Sequence, residues 1–256
     1  MRDRLPIVWQ RMRTGFVEMV YPRTCAGCGR RGTWLCPRCE STVRRLDHGI
    51  CYRCGAPVRD VCLHCAHLDP SISLARAAYP YTGWVPEAVK AFKYANEWSR
   101  GPDLAERMRP TLVAFGRVDV VVPVPLHHAR ERERGYNQSR ILATAIGEML
   151  GARVEPVVIR TRQTMAQASL GREERLENVH GAFAPNPAVT MPLGLHYLLV
   201  DDVRTTGSTL NACAQALTGL VPSRISACSF ALDLTARELR AWLAESGQAP
   251  SSIRSR

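Results

Sequence analysis

Tyr197-Leu198-Leu199-Val200-Asp201-Asp202-Val203-Arg204-Thr205-Thr206-Gly207-Ser208-Thr209 is the stretch from which the rest of the chain can be read. Tyr197 to Val200 is an apolar run without alternation, the pattern of a strand buried on both faces of a parallel sheet. Asp201 and Asp202 then fall at the carboxyl end of that strand, where open α/β sheets bind ligands. Leu210, Ala212, Cys213, Ala216 and Leu217 follow at helical spacing, so Thr205 to Thr209 is a turn that opens a helix. The four hydroxyls and one glycine of this turn, with the free amides of a helix N-terminus, make an anion cradle sized for one phosphate. Two carboxylates beside it would repel a triphosphate but suit a ribose 5-phosphate, whose 2' and 3' hydroxyls need acceptors. A strand ending in an Asp-rich turn is common by itself; the order of all thirteen positions is what points to chemistry.

The segment closely resembles the signature of type I phosphoribosyltransferases, which bind 5-phosphoribosyl-1-pyrophosphate (PRPP). The resemblance implies that Asp201 and Asp202 hold the ribose hydroxyls and that Thr205, Thr206, Gly207, Ser208 and Thr209 hold the 5'-phosphate. Two further segments narrow the match. Asp119 to Pro125 reads as another buried strand, running into LHHARERERGYNQSR before a helix expected from near Gln138 to near Gly151. Pro123 and Pro125 stop hydrogen bonding at the strand end. The backbone beyond them is therefore expected as a loop holding pyrophosphate, with Pro125, Leu126, Arg130, Arg134 and Gly135 as its candidate residues. Glu131 and Glu133 interleave with the arginines, which is also the pattern of a solvated charged face.

Arg160 to Phe183 is polar and longer than a compact domain ordinarily spends on a connection. A lid is favoured over a plain surface insertion with a short helix near Glu173 to Asn178. Phosphoribosyl transfer passes through an oxocarbenium-like state that water would trap, so such a site must close. Taken together, these segments resemble the ComF family, bacterial proteins related to phosphoribosyltransferases and associated with DNA uptake during competence. The residues that carry the resemblance are VPVPLHHARERERGYNQ at Val122 to Gln138, Thr164, Gln167, Leu170, Arg175 and Asn178 of the lid, FKY at Phe92 to Tyr94, and the thirteen-residue signature. It covers Thr24 to Asp233. The departures are Tyr136, where phenylalanine is usual, and Arg204, where an apolar residue is usual and which adds a charge at the rim of the site. The resemblance implies PRPP with Mg2+ as ligands and DNA-uptake proteins, a competence helicase among them, as partners.

Eight of the ten cysteines form four C-x-x-C pairs, Cys25/Cys28, Cys36/Cys39, Cys51/Cys54 and Cys62/Cys65. Two thiolates three positions apart meet one tetrahedral ion, so eight make two four-cysteine zinc sites. A disulfide framework is disfavoured because the charged N-terminus is no signal peptide and the expected compartment is the reducing cytoplasm. Spacing leaves the partnering open. The repeated C-x2-C-x7-C-x2-C unit favours sequential ribbons, and the eleven residues between Cys39 and Cys51 allow a nested pairing. Closed four-thiolate sites imply structural zinc. His48, His64 and His67 read as exposed ribbon residues, and Cys213 and Cys228 as small core residues.

The expected architecture is α/β: a parallel sheet with helices on both faces over residues 71–235, preceded by an amphipathic helix at 1–22 and a zinc ribbon at 23–70, and followed by a helix end and tail at 236–256. Strands are expected at Ala75 to Tyr81, Val154 to Ile159 and Ile225 to Leu232, and helices at Pro86 to Trp98 and Leu104 to Phe115. No apolar stretch reaches the length of a membrane span. The net charge of +11 invites a nucleic-acid reading. Among 34 basic residues, however, Lys90 and Lys93 are the only lysines, a bias that a GC-rich genome produces unaided. Lys93, in the FKY triplet, is expected near the pyrophosphate or the domain seam. Trp34 and Tyr52 are expected either to stack on single-stranded DNA or to plug the ribbon. PRPP binding then carries two readings: a transferase of unnamed acceptor, or a non-catalytic sensor or adaptor in DNA uptake.

Overall fold

The computed structural model describes residues 23–58, 60–94, 97–161 and 181–245. The helix expected at 1–22, the lid residues Thr164, Gln167, Arg175 and Asn178, and the chain beyond 245 lie outside the described residues. The cysteine-rich segment contains an α-helical turn, α1 (Pro37–Glu40), and a 3-10 turn at Leu63–His67. After it come β1 (Ile72–Pro80), α2 (Val85–Tyr94), α3 (Gly101–Leu112), β2 (Val120–Pro123), α4 (His128–Arg134), α5 (Gln138–Leu150), β3 (Arg153–Val154), β4 (Val158–Arg160), β5 (Phe183–Pro185), β6 (His196–Arg204), α6 (Ser208–Thr218), β7 (Arg224–Leu232) and α7 (Ala236–Glu245).

Five strands form one sheet in the order β1-β7-β6-β2-β3, every pair parallel. Parallel sheets are covered on both faces, and this one is. Val89, Phe92, Met108, Leu142 and Ile146 of α2, α3 and α5 pack over Leu198, Val200 and Phe230 on one face. Leu210, Cys213, Leu217 and Trp242 of α6 and α7 cover Tyr197, Leu199 and Ala227 on the other. Cys213 and Cys228 are fully buried among these side chains, as expected of small core residues.

The cysteine-rich segment straddles β1, the edge strand. Leu35 and Val43 of its first half join the α2/α3 face, while Leu46, Ala56 and Leu68 of its second half join the α6/α7 face. Between them the backbone hydrogen-bonds the free edge of β1: Leu46 N donates to Ala78 O at 3.0 Å, and Ala75 N donates to Arg53 O at 2.7 Å. The approach is close enough that a Cβ on Gly55, whose φ is +66°, would lie 2.7 Å from Ala75 O.

Two expected elements differ. The strand expected at Val154 to Ile159 is two strands: Glu155 N still reaches Val121 O at 3.1 Å, but Pro156 has no N–H to continue the ladder. The chain turns off there, and β4 pairs antiparallel with β5, Arg160 opposite Phe183, at the base of the 161–182 segment. The second difference is α4, where a loop is expected. His127 Nδ1 accepts from Ala129 N at 3.2 Å to cap its start, and Gly135 at φ +83° closes its end. Gly135 thus takes the left-handed conformation of a helix C-cap, which favours glycine.

Candidate functional site

The two carboxylates are inside β6 and not beyond its end. β2 stops at Pro123, opposite Val200, whereas β7 continues to Leu232, opposite Arg204. One edge of β6 therefore opens at Asp201 while the other remains paired. Strand alternation separates the pair. Asp202 shares the parity of Leu198 and Val200 and faces α2, where Lys93 Nζ meets its Oδ1 at 2.8 Å. Asp202 is 4 % exposed, and its Oδ2 is buried with no hydrogen-bond partner among the described residues.

Asp201 is half-buried and accepts at Oδ1 from Ser139 Oγ (3.0 Å), at the start of α5, and from Asp202 N (2.9 Å). Burial and the neighbouring Asp202 charge raise its pKa to about 7, against Lys93, the Asp202 amide and Ser139, which pull it down. Lys93 is held above its ordinary value: burial lowers it, but Asp202 and Asp201 outweigh that.

These groups line a cleft of about 980 Å3 at the carboxyl ends of β6 and β2. Pro125, Leu126, Arg130, Arg134 and Gly135 form its far wall, and Thr205, Gly207, Ser208 and Thr209 its near wall. Arg130 and Arg134, four residues apart on α4, share a helical face. Arg134 donates to Gln138 Oε1, and its guanidinium lies 5.2 Å from the Tyr94 ring centre. Gly207, at φ +84°, caps α6 in a conformation that disfavours any side chain. Thr206 departs from its neighbours: its Oγ1 accepts from Ser208 N at 3.3 Å, and it lines a second, smaller cavity facing the second cysteine cluster.

Three residues that sequence reasoning missed or misplaced belong to this description. Ser139 and Arg160 both line the cleft; the only local signal for Ser139 was the capping residue Asn137 before it, which accepts from Ser139 N. Arg204, expected at the rim, is 6 % exposed and turned into the seam, donating to Cys54 O at 2.6 Å. Tyr136 explains its own departure, since its hydroxyl donates to Phe92 O and joins the α4–α5 corner to the helix of Lys93. The positive wall is felt at His127, which burial first and then Arg160 hold below its ordinary value.

The eight cysteines settle into sequential sets, Cys25/Cys28/Cys36/Cys39 and Cys51/Cys54/Cys62/Cys65, each with its Sγ atoms within 4.8 Å of one another. Cys28–Cys36, Cys51–Cys65 and Cys54–Cys62 are 3.8, 3.5 and 3.3 Å apart. A zinc tetrahedron with bonds of about 2.3 Å has edges of about 3.8 Å, so both sets fit the ion. Burial raises the Cys25 thiol, but donation from the amides of Cys36, Gly27 and Cys28 prevails and holds it at about 6. Cys51 is held at about 7 in the same way by the amides of Cys54 and Arg53. Of the histidines expected to be exposed, His67 is, but His64 Nε2 meets Glu238 at 2.8 Å and His48 stacks on Trp242. Trp34 is a buried plug beneath the Arg100 guanidinium, while Tyr52 is 84 % exposed.

Residues 16–68 match the family model described as a double zinc ribbon domain. The chain is 27 % identical over 193 residues to Competence protein F of Haemophilus influenzae, covering 72 % of this chain and 83 % of that protein. It is 30 % identical over 194 residues to the DNA utilization protein YhgH of Salmonella typhimurium, with the same two coverages. An adenine phosphoribosyltransferase of Saccharomyces cerevisiae superposes with a TM-score of 0.35 at 12 % identity, over 62 % of this chain and 79 % of that one. Among the described residues no helix is long and apolar enough to cross a membrane.

Proposed function

This chain belongs to the ComF family of competence proteins, and from that premise we propose that it binds PRPP with Mg2+ and transfers the phosphoribosyl group in support of DNA uptake. The observation that carries the reading is the meeting, in one cleft, of Asp201 and Asp202, the hydroxyl-lined turn through Thr205, Gly207, Ser208 and Thr209, and the arginine face of α4. Each matches one part of the ligand. The turn and the first amides of α6 receive the 5'-phosphate. Asp201, held on Oδ1 by Ser139, accepts from the ribose hydroxyls, with Asp202 fixed behind it by Lys93. Arg130 and Arg134 face the pyrophosphate, which departs with the electron pair of the broken C1'–O bond as an acceptor bonds to C1'.

Mg2+ fits this site: Asp202 Oδ2, which has no hydrogen-bond partner among the described residues, and the Asp201 carboxylate are hard oxygen donors, and the ion would neutralise charge on the pyrophosphate there. Arg160, which lines the cleft, is paired with Phe183 across β4 and β5, and the intervening stretch of sequence supplies the lid residues Thr164, Gln167, Arg175 and Asn178 that would exclude water. Single-stranded DNA and a competence helicase remain the partners that the family's role in DNA uptake favours, and a reducing cytoplasm suits two thiolate zinc sites.

Calorimetry with PRPP and Mg2+ tests the reading. The variant carrying Asp201→Ala and Asp202→Ala should fold and bind at least tenfold more weakly, about 1.4 kcal/mol. Unchanged affinity in the folded double variant would remove the assignment. Pyrophosphate release with candidate acceptors then separates transfer from sensing.

A further inference from the structure

Thr205 to Thr209 is bounded by Arg204, the last residue of β6, and Asn211, in the first turn of α6. Both reach the second zinc ribbon. Arg204 Nη2 donates to the carbonyl of Cys54, itself a zinc ligand and 1 % exposed, at 2.6 Å. Asn211 makes two bonds to the segment just after Cys65: its Oδ1 accepts from Asp69 N at 3.0 Å, and its Nδ2 donates to His67 O at 2.7 Å. One turn on, Gln215 Nε2 donates to Asp69 Oδ2 at 2.8 Å. The turn is therefore a partition, with the ligand cleft on one side and a second cavity, lined by Cys54, His64, His67 and Arg204, on the other.

The first ribbon is attached elsewhere. Arg100 donates to Trp34 O at 3.0 Å and to Thr24 O at 3.3 Å, and Arg107 reaches Leu35 O at 3.5 Å. These bonds lie at α3 and the residue that precedes it, on the opposite face of the sheet from α6.

We propose that the second zinc ribbon, and not the first, sets the shape of the phosphate-binding turn through Arg204 and Asn211, which act as positioning residues for the phosphorylated end of the ligand. The proposal rests on the reading of Thr205 to Thr209 as the 5'-phosphate site. A turn pinned at both ends is ordered when the chain folds. Released at one end, it must be ordered when the ligand binds, and the affinity falls by that cost. Ordering one backbone residue corresponds to about a tenfold change in affinity. The pyrophosphate wall, at the end of β2 and on α4, receives neither tether and is unaffected.

Zinc-loaded full-length protein is titrated with ribose 5-phosphate and, separately, with inorganic pyrophosphate. Asn211→Ala and Arg204→Met should keep two zinc ions and bind ribose 5-phosphate about tenfold more weakly, with pyrophosphate affinity unchanged. Cys62→Ser should show the same selective loss together with one zinc ion. Arg107→Ala, which cuts a first-ribbon tether, should leave both affinities as they were. Unchanged ribose 5-phosphate affinity in Asn211→Ala, or equal loss of both ligands, overturns the proposal. Should Cys62→Ser not fold, Asn211→Ala decides alone. Should the wild-type protein bind no ribose 5-phosphate, the functional reading fails. The tether is then judged by amide exchange at residues 205–209, which must quicken in Asn211→Ala.

Discussion

Asp201→Asn should make the protein more stable above neutral pH while weakening its ligand. In the folded chain Asp201 has a pKa of about 7, raised by burial and by Asp202 from an ordinary 3.8. Between those two values the folded protein holds a proton that the unfolded chain has released. Each rise in pH through this window therefore costs stability, and above about 7 the full cost is present. The interval corresponds, at about 1.4 kcal/mol per pH unit, to about 4 kcal/mol. Asp201 is half-buried at the wall of an open cleft, so solvent screens part of this and about 2 kcal/mol is the expectation. Asparagine keeps an oxygen for Ser139 Oγ and the Asp202 amide, and removes only the charge. Thermal unfolding of zinc-saturated protein from pH 5 to pH 9 should show the variant gaining roughly 4–8 °C at pH 8 and losing that advantage towards pH 5. A variant less stable than wild type at pH 8, or a difference that does not change with pH, would refute the reasoning.

Lys93→Met should have the opposite sign, because it strands the Asp202 carboxylate, whose Oδ2 has no hydrogen-bond partner among the described residues. Removing one member of a buried pair costs about 3–5 kcal/mol, and the partial exposure of Lys93 brings the expectation to about 2–3; equal stability of variant and wild type at pH 7 by urea unfolding would count against the pair. Metal analysis of protein purified under reducing conditions should give about two zinc ions per chain, at four thiolates each, and a chelator should unfold the ribbon; one ion, or none with protected thiols, would reject the paired sites.

What could be read from the chain in advance was what local pattern determines. Tyr197 to Val200 contains its own burial signal, and Gly207 its own turn, so β6, α6 and the hydroxyl-lined connection were legible. The end of β6 was not, because it is set by β7, whose Leu232 keeps pairing as far as Arg204. The Arg204 charge pointed towards solvent on any local argument; its acceptor is a carbonyl 150 positions earlier in the chain. α4 was hidden for a different reason. The prolines before it signal an interruption correctly, but the histidine that caps the helix is not among the usual capping residues. Ser139 and Arg160 reach the cleft only through the packing of α5 and the departure of β4 from the sheet, neither of which has a motif.

The sequential pairing of the cysteines, open on spacing alone, has a physical cause in the sheet. β1 is an edge strand, and an unpaired edge is a hazard unless it is covered. The chain covers it by sending one ribbon to each face and crossing the edge between Cys39 and Cys51, with Leu46 N on Ala78 O and, just beyond, Arg53 O receiving Ala75 N. A nested pairing would need cysteines from the two faces to share an ion through β1. With sequential pairing each ribbon closes on its own side, so the two ions serve different faces: the first supports α3 and the second supports α6 and α7. Trp242 Nε1 donates to His48 O at 3.0 Å, and His64 pairs with Glu238, which fastens α7 to the second ribbon as well. The face that holds the Thr205 to Thr209 turn is thus the one on which the second ribbon, α6 and α7 are laced together, and this is why a change in the second zinc site should be felt by a ligand bound at that turn without touching the metal.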